Sequence, residues 1–402
     1  MKIDLNNRPK RAGIVFSGGP APGANTVISA VTLTFLNHGV PVVGFLKGFE
    51  YIEDFKAHDP SCLREDLHYM HLTHQVSALR NQRGVFLKTS RANPGRSIRC
   101  KEDLDDPERS KRLHNIVGAL ACLDVGVLVT IGGDDTLKTA NYLHLLGVPV
   151  VHVPKTIDND YYGIAWTFGY WTAVDMAQDI LLNLRGDAEA TDSWFVVELM
   201  GRKAGWITYA AGIAGMADKM IALEDMGDGA LDVDTLAGEV VDLIVARERE
   251  DKGYGMICLA EGLAERLPES LRPKEVDRHG NLLYGKVEVG GIVSEAVSRV
   301  YHARTGRKKK VTYKQVGYET RSRGPISFDV VLGAMLGYGA FKLVAEEKFG
   351  HMVSVSDNFD IRAIPFGDLV DPETLVTKLR NVPKGSDFYT LKEALSYRPS
   401  KT

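Results

Sequence analysis

Between Ile131 and Asp160 the chain places four aspartates, two lysines and two phosphate-type loops within thirty residues, IGGDDTLKTANYLHLLGVPVVHVPKTIDND. A glycine turn between a strand and a helix leaves backbone N–H groups pointing outward, and the helix N-terminus adds a partial positive charge. Gly132-Gly133 therefore reads as an anion site. Asp134 and Asp135 in that turn repel a phosphate unless a divalent cation comes between them, and Mg2+ is commonly held by one or two carboxylates together with phosphate oxygens. If Pro154–Asp160 is extended, Asp158 and Asp160 project to one side, two residues apart, while Lys155 and Thr156 offer an ammonium and a hydroxyl. One carboxylate can then take a proton from a hydroxyl while the other helps to hold the metal. Any single aspartate here is as well explained as a turn or helix cap, and for GGD alone that is the better explanation; the combination is not so explained.

Such groups need rigid elements to carry them. Val125–Ile131 (VGVLVTI) is a β-branched run that suits a buried parallel strand, Thr136–Leu146 has helical spacing, and Val148–Val153 is a second strand. Upstream, Ala12–Phe16 reads as a strand, followed by the glycine turn Ser17–Gly23 and a helix from about Asn25 to Asn37. Two such turns at the carboxyl ends of strands in one open sheet face the same crevice, where doubly wound α/β proteins bind ligands. Val40–Phe45 is the next strand, and the polar stretch after it contains Arg91, a candidate phosphate contact. Trp171–Leu184 is helical. Trp194–Met200 is another buried strand, and it runs into Gly201-Arg202-Lys203-Ala204-Gly205, a second anion pocket. Gly255–Ala260 is a strand ending at Glu261, either a hydroxyl binder or a helix cap. Arg272–Lys286 reads as loop or hairpin; its near-match to a nucleotide P-loop, Gly280–Lys286, has Val287 where a Ser or Thr should bind the metal, and is discarded. Gly317–Gly324 is a dense polar cluster before the helical stretch Phe328–Glu347. Strands alternate with helices throughout, which predicts an α/β fold.

The 402 residues give room for two domains, and 44% hydrophobic with 25% charged residues is ordinary for a globular chain. Forty-nine basic against fifty-two acidic residues leave a net charge of −3, so nothing draws the chain to nucleic acid or an anionic membrane. The run Arg307–Lys310 reads as a solvated loop or a local anion site. Cys62, Cys100, Cys122 and Cys258 are scattered, which indicates neither a zinc site nor a disulfide framework and fits a reducing compartment. The first apolar run is too short for a signal-peptide core, and no segment approaches eighteen uncharged apolar residues. The expectation is a cytoplasmic protein that is neither exported nor membrane-spanning.

In order and approximate spacing, SGGPAPG, GGDDT, PKTIDND, MGR, AEG and GYETRSRG resemble the phosphofructokinase family from about Gly13 to Asp329. The resemblance implies two doubly wound, Rossmann-like α/β domains: 1–169 with 320–372 for the phosphoryl donor and Mg2+, 170–319 for the sugar phosphate, and 373–402 as a C-terminal extension. It also implies roles. Gly18, Gly19, Arg91 and Gly133 lie against the donor phosphates, Asp134 and Asp160 serve the metal, and Asp158 is the base for the sugar 1-hydroxyl with Thr156 and Ile157 beside it. Met200, Gly201 and Arg202 bind the sugar phosphate, Glu261 a sugar hydroxyl, and Tyr318, Glu319, Thr320 and Arg321 the 6-phosphate end. Homodimer or homotetramer is the family's expectation. Where ATP-type bacterial relatives take two arginines from a neighbouring subunit, this chain has Ser193-Trp194 and Thr312, with Lys310 and Lys314 nearby.

Two positions bear on the donor. ATP-using relatives have glycine at the places of Asp135 and Lys155, whereas pyrophosphate-using relatives have Asp and Lys. A fixed carboxylate where a nucleotide α-phosphate would sit fills its space and repels it. Two unit charges about 4 Å apart at an effective dielectric near 20 cost about 4 kcal/mol, roughly a thousandfold in affinity. Lys155 supplies positive charge to the transferring group. The expected activity is reversible, Mg2+-dependent phosphoryl transfer from pyrophosphate to the 1-hydroxyl of fructose 6-phosphate. Its rivals are an ATP-dependent enzyme of the same fold, a pyrophosphate-dependent enzyme acting on sedoheptulose 7-phosphate, and a catalytically silent regulatory subunit.

Overall fold

The computed structural model describes residues 9–227, 229–272, 287–371 and 375–397. The discarded P-loop-like segment, and all but the first residue of the stretch read as loop or hairpin, lie outside them. The chain divides into two compact units: 1–157 with 161–172 and 321–379, and 158–160 with 173–320 and 380–402. Of the stretch read as a C-terminal extension, the described residues 380–397 group with the second unit.

The first unit opens with strand β1 (Arg11–Phe16) and helix α1 (Ala24–Asn37), then β2 (Val42–Phe45) and β3 (Tyr69–Leu72). Helix α2 (Pro107–Cys122) leads into β4 (Val125–Gly132), α3 (Asp134–Leu145) and β5 (Val150–Pro154). Continuous β-branched runs with every residue from Val127 buried make β4 and β5 central strands. Helix α3 starts two residues earlier than its apolar spacing suggests. Asp134 and Asp135 are its first turn, favourable for carboxylates because of the helix dipole.

The second unit follows helix α4 (Tyr170–Thr191) with β6 (Trp194–Leu199), α5 (Trp206–Ala214), β7 (Lys219–Ile221), α6 (Val233–Glu248) and β8 (Gly255–Ala260). It continues through α7 (Val289–Thr305), β9 (Val311–Val316) and the short α8 (Glu319–Ser322). Its four strands run parallel in the order β7-β8-β6-β9, and helices α6 and α7 bury Val240, Ile244, Val293 and Val297 with Ile257 and Leu259 of β8.

The chain then re-enters the first unit as α9 (Ser327–Ala345), β10 (His351–Val355), β11 (Ile361–Pro365) and α10 (Phe366–Leu369), and ends in the second with α11 (Asp387–Leu395). The first sheet has the order β11-β10-β5-β4-β1-β2-β3, parallel except at its two edge pairs. Between β1 and β4 the winding reverses, which is the switch point where doubly wound sheets bind ligands. Among the described residues, α9 alone is long and apolar enough to cross a membrane, yet more than half of its apolar window is buried. It packs on α1 so closely that a Cβ on Gly337 would lie 2.8 Å from the Val27 carbonyl.

Asp329, in the first turn of α9, is fully buried and accepts bonds from the Thr172 backbone N–H (2.7 Å) and hydroxyl (2.6 Å), so that one helix caps the start of another. Its other oxygen has no hydrogen-bond partner, and burial lifts the carboxyl to about 6 against the pull of those bonds. The folded state therefore binds this proton more readily than the unfolded chain, whose aspartates titrate near 4. As far as Asp329 is concerned, stability rises as pH falls from about 7 to 4. Asp329→Ala is expected to cost about 2 kcal/mol in urea unfolding at neutral pH. Asp329→Asn should flatten the pH dependence of the melting temperature over the same range.

Candidate active site

In the first unit, three adjacent parallel strands end level with one another. Phe16 of β1 pairs with Ile131 of β4, and Gly132 pairs with Pro154 of β5. The turns after them are SGG, GGDD and PKT. The SGG turn is laced to the segment before Arg91: Gly18 N–H donates to the Ser90 carbonyl (2.9 Å), and the Thr89 hydroxyl donates to the Gly18 carbonyl (2.6 Å). Arg91 itself is exposed, next to that lacing.

Two cations border this turn. Lys155 is 6% exposed, and a Cβ on Gly18 would lie 3.1 Å from its Nζ; a Cβ on Gly19 would lie 3.3 Å from a guanidinium nitrogen of Arg321. Arg321, read from sequence as a group for the 6-phosphate end, thus stands in the first unit against the SGG turn. Gly18 also holds φ at +84°, a backbone region that favours glycine.

At the next turn, Gly133 caps α3 without any side-chain bond, and Asp134 Oδ1 accepts the Asp135 N–H (2.9 Å). Both aspartates are exposed. Partial desolvation and the neighbouring Asp134 charge raise the Asp135 carboxyl, while Lys138, 3.8 Å away, pulls it back. An exposed carboxylate at a helix N-terminus is the hard oxygen donor that Mg2+ shares with phosphate. No group of three or more His, Cys, Asp or Glu residues among the described residues forms a ready metal cage.

The segment Asp158–Asp160 groups with the second unit, where the Asp160 carbonyl accepts the Arg380 N–H (2.8 Å). The extended course assumed for it is not what forms. Asn159 is buried at φ +53°, a left-handed conformation that Asn tolerates better than most residues, so the chain bends between the two aspartates and strand alternation does not orient them.

The second unit repeats the plan. Leu199 of β6 is level with Ala260 of β8 and with Val316 of β9, so Met200–Arg202, Glu261 and Gly317-Tyr318 leave three adjacent strand ends. Gly262 lies so near the Arg202 backbone that a Cβ would meet its carbonyl at 2.3 Å. Arg202 donates to Glu265 (2.9 Å), and Lys203 bonds both oxygens of the same carboxylate (3.1 and 3.0 Å). Burial alone would raise the Glu265 carboxyl, but these bonds outweigh it and hold the group below its ordinary range. Glu265 is a partner of Arg202 that sequence reasoning missed. Its only signal was a spacing of four residues after Glu261.

Other side chains named from the sequence work inside the turn. Thr320 is fully buried and donates its hydroxyl to the Gly317 carbonyl (2.7 Å), with Met200 Sδ 3.4 Å away, while Glu319 accepts the Gly317 N–H (3.2 Å). They present Tyr318, which is 75% exposed.

Two doubly wound units, each with a glycine turn and cations at the carboxyl ends of adjacent strands, define an α/β protein built to hold phosphates. The chain belongs to the phosphofructokinase family, whose model matches residues 11–344. It is 33% identical over 407 residues to the pyrophosphate–fructose 6-phosphate 1-phosphotransferase of Thermotoga maritima, covering 98% of this chain and 91% of that protein. It is also 31% identical over 376 residues to the ATP-dependent 6-phosphofructokinase of Spirochaeta thermophila, covering 92% of each. In fold it is similar to the pyrophosphate-dependent phosphofructokinase from Marinobacter aquaeolei, with a TM-score of 0.68 at 17% identity over 97% of this chain and 92% of that one.

Gly18→Ala tests the cradle. Strain at positive φ should cost about 1 kcal/mol in stability. A methyl group against Lys155 should raise the KM for the phosphoryl donor by about tenfold, well beyond what the loss of stability explains.

Proposed function

We propose that this family member is a pyrophosphate-dependent 6-phosphofructokinase, transferring phosphate from pyrophosphate to the 1-hydroxyl of fructose 6-phosphate to give fructose 1,6-bisphosphate and phosphate. The observation that carries this reading is a buried lysine beside Gly18, together with a carboxylate at Asp135, in the first turn of α3. A compact inorganic donor fits a turn bordered by Lys155 and Arg321. A nucleotide reaching past that turn meets Asp135, and its α-phosphate is repelled. The ATP-dependent relatives of similar identity favour the rival donor, and Asp135 with Lys155 is the feature that speaks against it.

Asp158 takes the proton from the 1-hydroxyl, and the alkoxide forms a bond to phosphorus as the bond to the leaving phosphate breaks. Lys155 offsets the charge that gathers on the transferring and leaving groups, and the outward N–H groups of the turns hold the rest in line. Arg202, released from Glu265, together with Tyr318 and Glu261, holds the sugar phosphate. Asp134 and Asp160 would hold Mg2+, which would supply charge neutralisation to the phosphates. Because the donor is pyrophosphate, the reaction runs in both directions and serves glycolysis or its reverse. A cytoplasmic homodimer or homotetramer is part of the same proposal.

Initial rates with fructose 6-phosphate and Mg2+ should show activity with pyrophosphate and little with ATP at matched concentration; a preference for ATP would overturn the donor reading. Asp158→Asn should lower kcat by about a thousandfold with little change in either KM, and near-normal turnover would remove Asp158 as the base.

A further inference from the structure

Beneath the GGDD turn, the Gly132 carbonyl is held by several donors at once. The Lys155 N–H reaches it at 2.9 Å and the Tyr161 hydroxyl at 3.1 Å, and the His152 ring bonds to it as well. His152 sits on β5 with no exposed surface, its Nδ1 2.9 Å from the Thr130 hydroxyl and its Nε2 3.1 Å from the Tyr161 oxygen. The directions of these bonds follow from counting protons. With the one Tyr161 hydroxyl proton on Gly132, its oxygen is left to accept from His152, whose single ring proton is then shared between that oxygen and the Gly132 carbonyl. The ring proton is therefore on Nε2, and Nδ1 is a lone pair that accepts the Thr130 hydroxyl proton. Burial, aided by the charge of Lys155 and opposed by the Gly132 carbonyl, holds the ring neutral down to about pH 3. The chain from Thr130 through His152 and Tyr161 to Gly132 thus has one direction.

We propose that His152 and Tyr161 are positioning residues for the phosphoryl donor, fixing the Gly132 carbonyl and with it the direction of the N–H groups and carboxylates of the following turn. The turn needs support from below, because Gly133 starts α3 without a side-chain cap and Asp134 and Asp135 are exposed above it. Rotating the peptide that carries the Gly132 carbonyl would re-aim the Gly133 N–H, which belongs to that peptide, and tilt the first helical turn bearing Asp135. His152 has no exposed surface and Tyr161 only 5%, so each acts through the backbone. This inference rests on the reading that the turn holds the donor.

Tyr161→Phe keeps the ring and removes the hydroxyl. It should raise the KM for pyrophosphate about tenfold while leaving that for fructose 6-phosphate within about twofold. His152→Leu should match it, the double variant should be no worse than either single, and His152→Gln, which keeps an N–H near Nε2, should recover most of the loss. An unchanged donor KM in Tyr161→Phe, or equal rises in both KM values, would overturn the proposal. If the wild-type enzyme uses ATP instead, the donor reading fails and the same comparison run with ATP still decides this one. Independently of any turnover, the imidazole 15N spectrum of the wild-type protein should show a neutral His152 protonated at Nε2 from about pH 5 to 8. A proton on Nδ1, or a charged ring, would contradict it.

Discussion

Parallel register is the constraint on which the rest of the structure depends. Neighbouring strands lie about 4.8 Å apart, so when β5, β4 and β1 end level, the three turns that follow them are brought within about 10 Å. No single turn makes a site; a glycine turn, an acidic helix start and a buried lysine do so because the ladder aligns Phe16, Ile131, Gly132 and Pro154. The second unit obeys the same rule, with Leu199, Ala260 and Val316 level and the phosphate-type groups just beyond them. The chemistry of each unit is therefore written at the carboxyl edge of its sheet, at the switch point of the first, as doubly wound sheets require.

Charge is arranged around these edges with care for desolvation. Lys155 is buried yet lies over the Phe16 ring, 5.8 Å from its centroid, a face that suits a cation. Arg202 and Lys203 are both paired with Glu265. Deep in the second unit, Lys392 is 1% exposed between Asp225 and the rings of Tyr209 and Tyr389, which fastens α11 to that unit. This is how residues after 380 come to belong there.

Much of this was legible in the sequence, for reasons that also explain what was not. β1, β4, β6 and β8 are central strands, and their continuous apolar runs announce them. β9 hides because it is an edge strand: Thr312, Lys314 and Gln315 leave it a polar pattern that reads as loop. β3 and β11 are edge strands too, missed for the same reason. The motif turns could be placed because glycine, aspartate and lysine in that order have few other uses. Side-chain commitments could not, since Thr320, Glu319 and Glu265 find their partners only after folding. The bend at Asn159 was illegible because the segment's alternation looked extended and only its backbone angle says otherwise.

In the proposed function two fixed charges, Asp135 and Lys155, choose the phosphoryl donor. The most direct measurement is the ratio of kcat/KM for ATP to that for pyrophosphate in the wild type and in Asp135→Gly/Lys155→Gly. That ratio should rise by about a thousandfold or more in the double variant, through gain with ATP and loss with pyrophosphate. A ratio unchanged by the double replacement, in a protein that still folds and turns over, would contradict it.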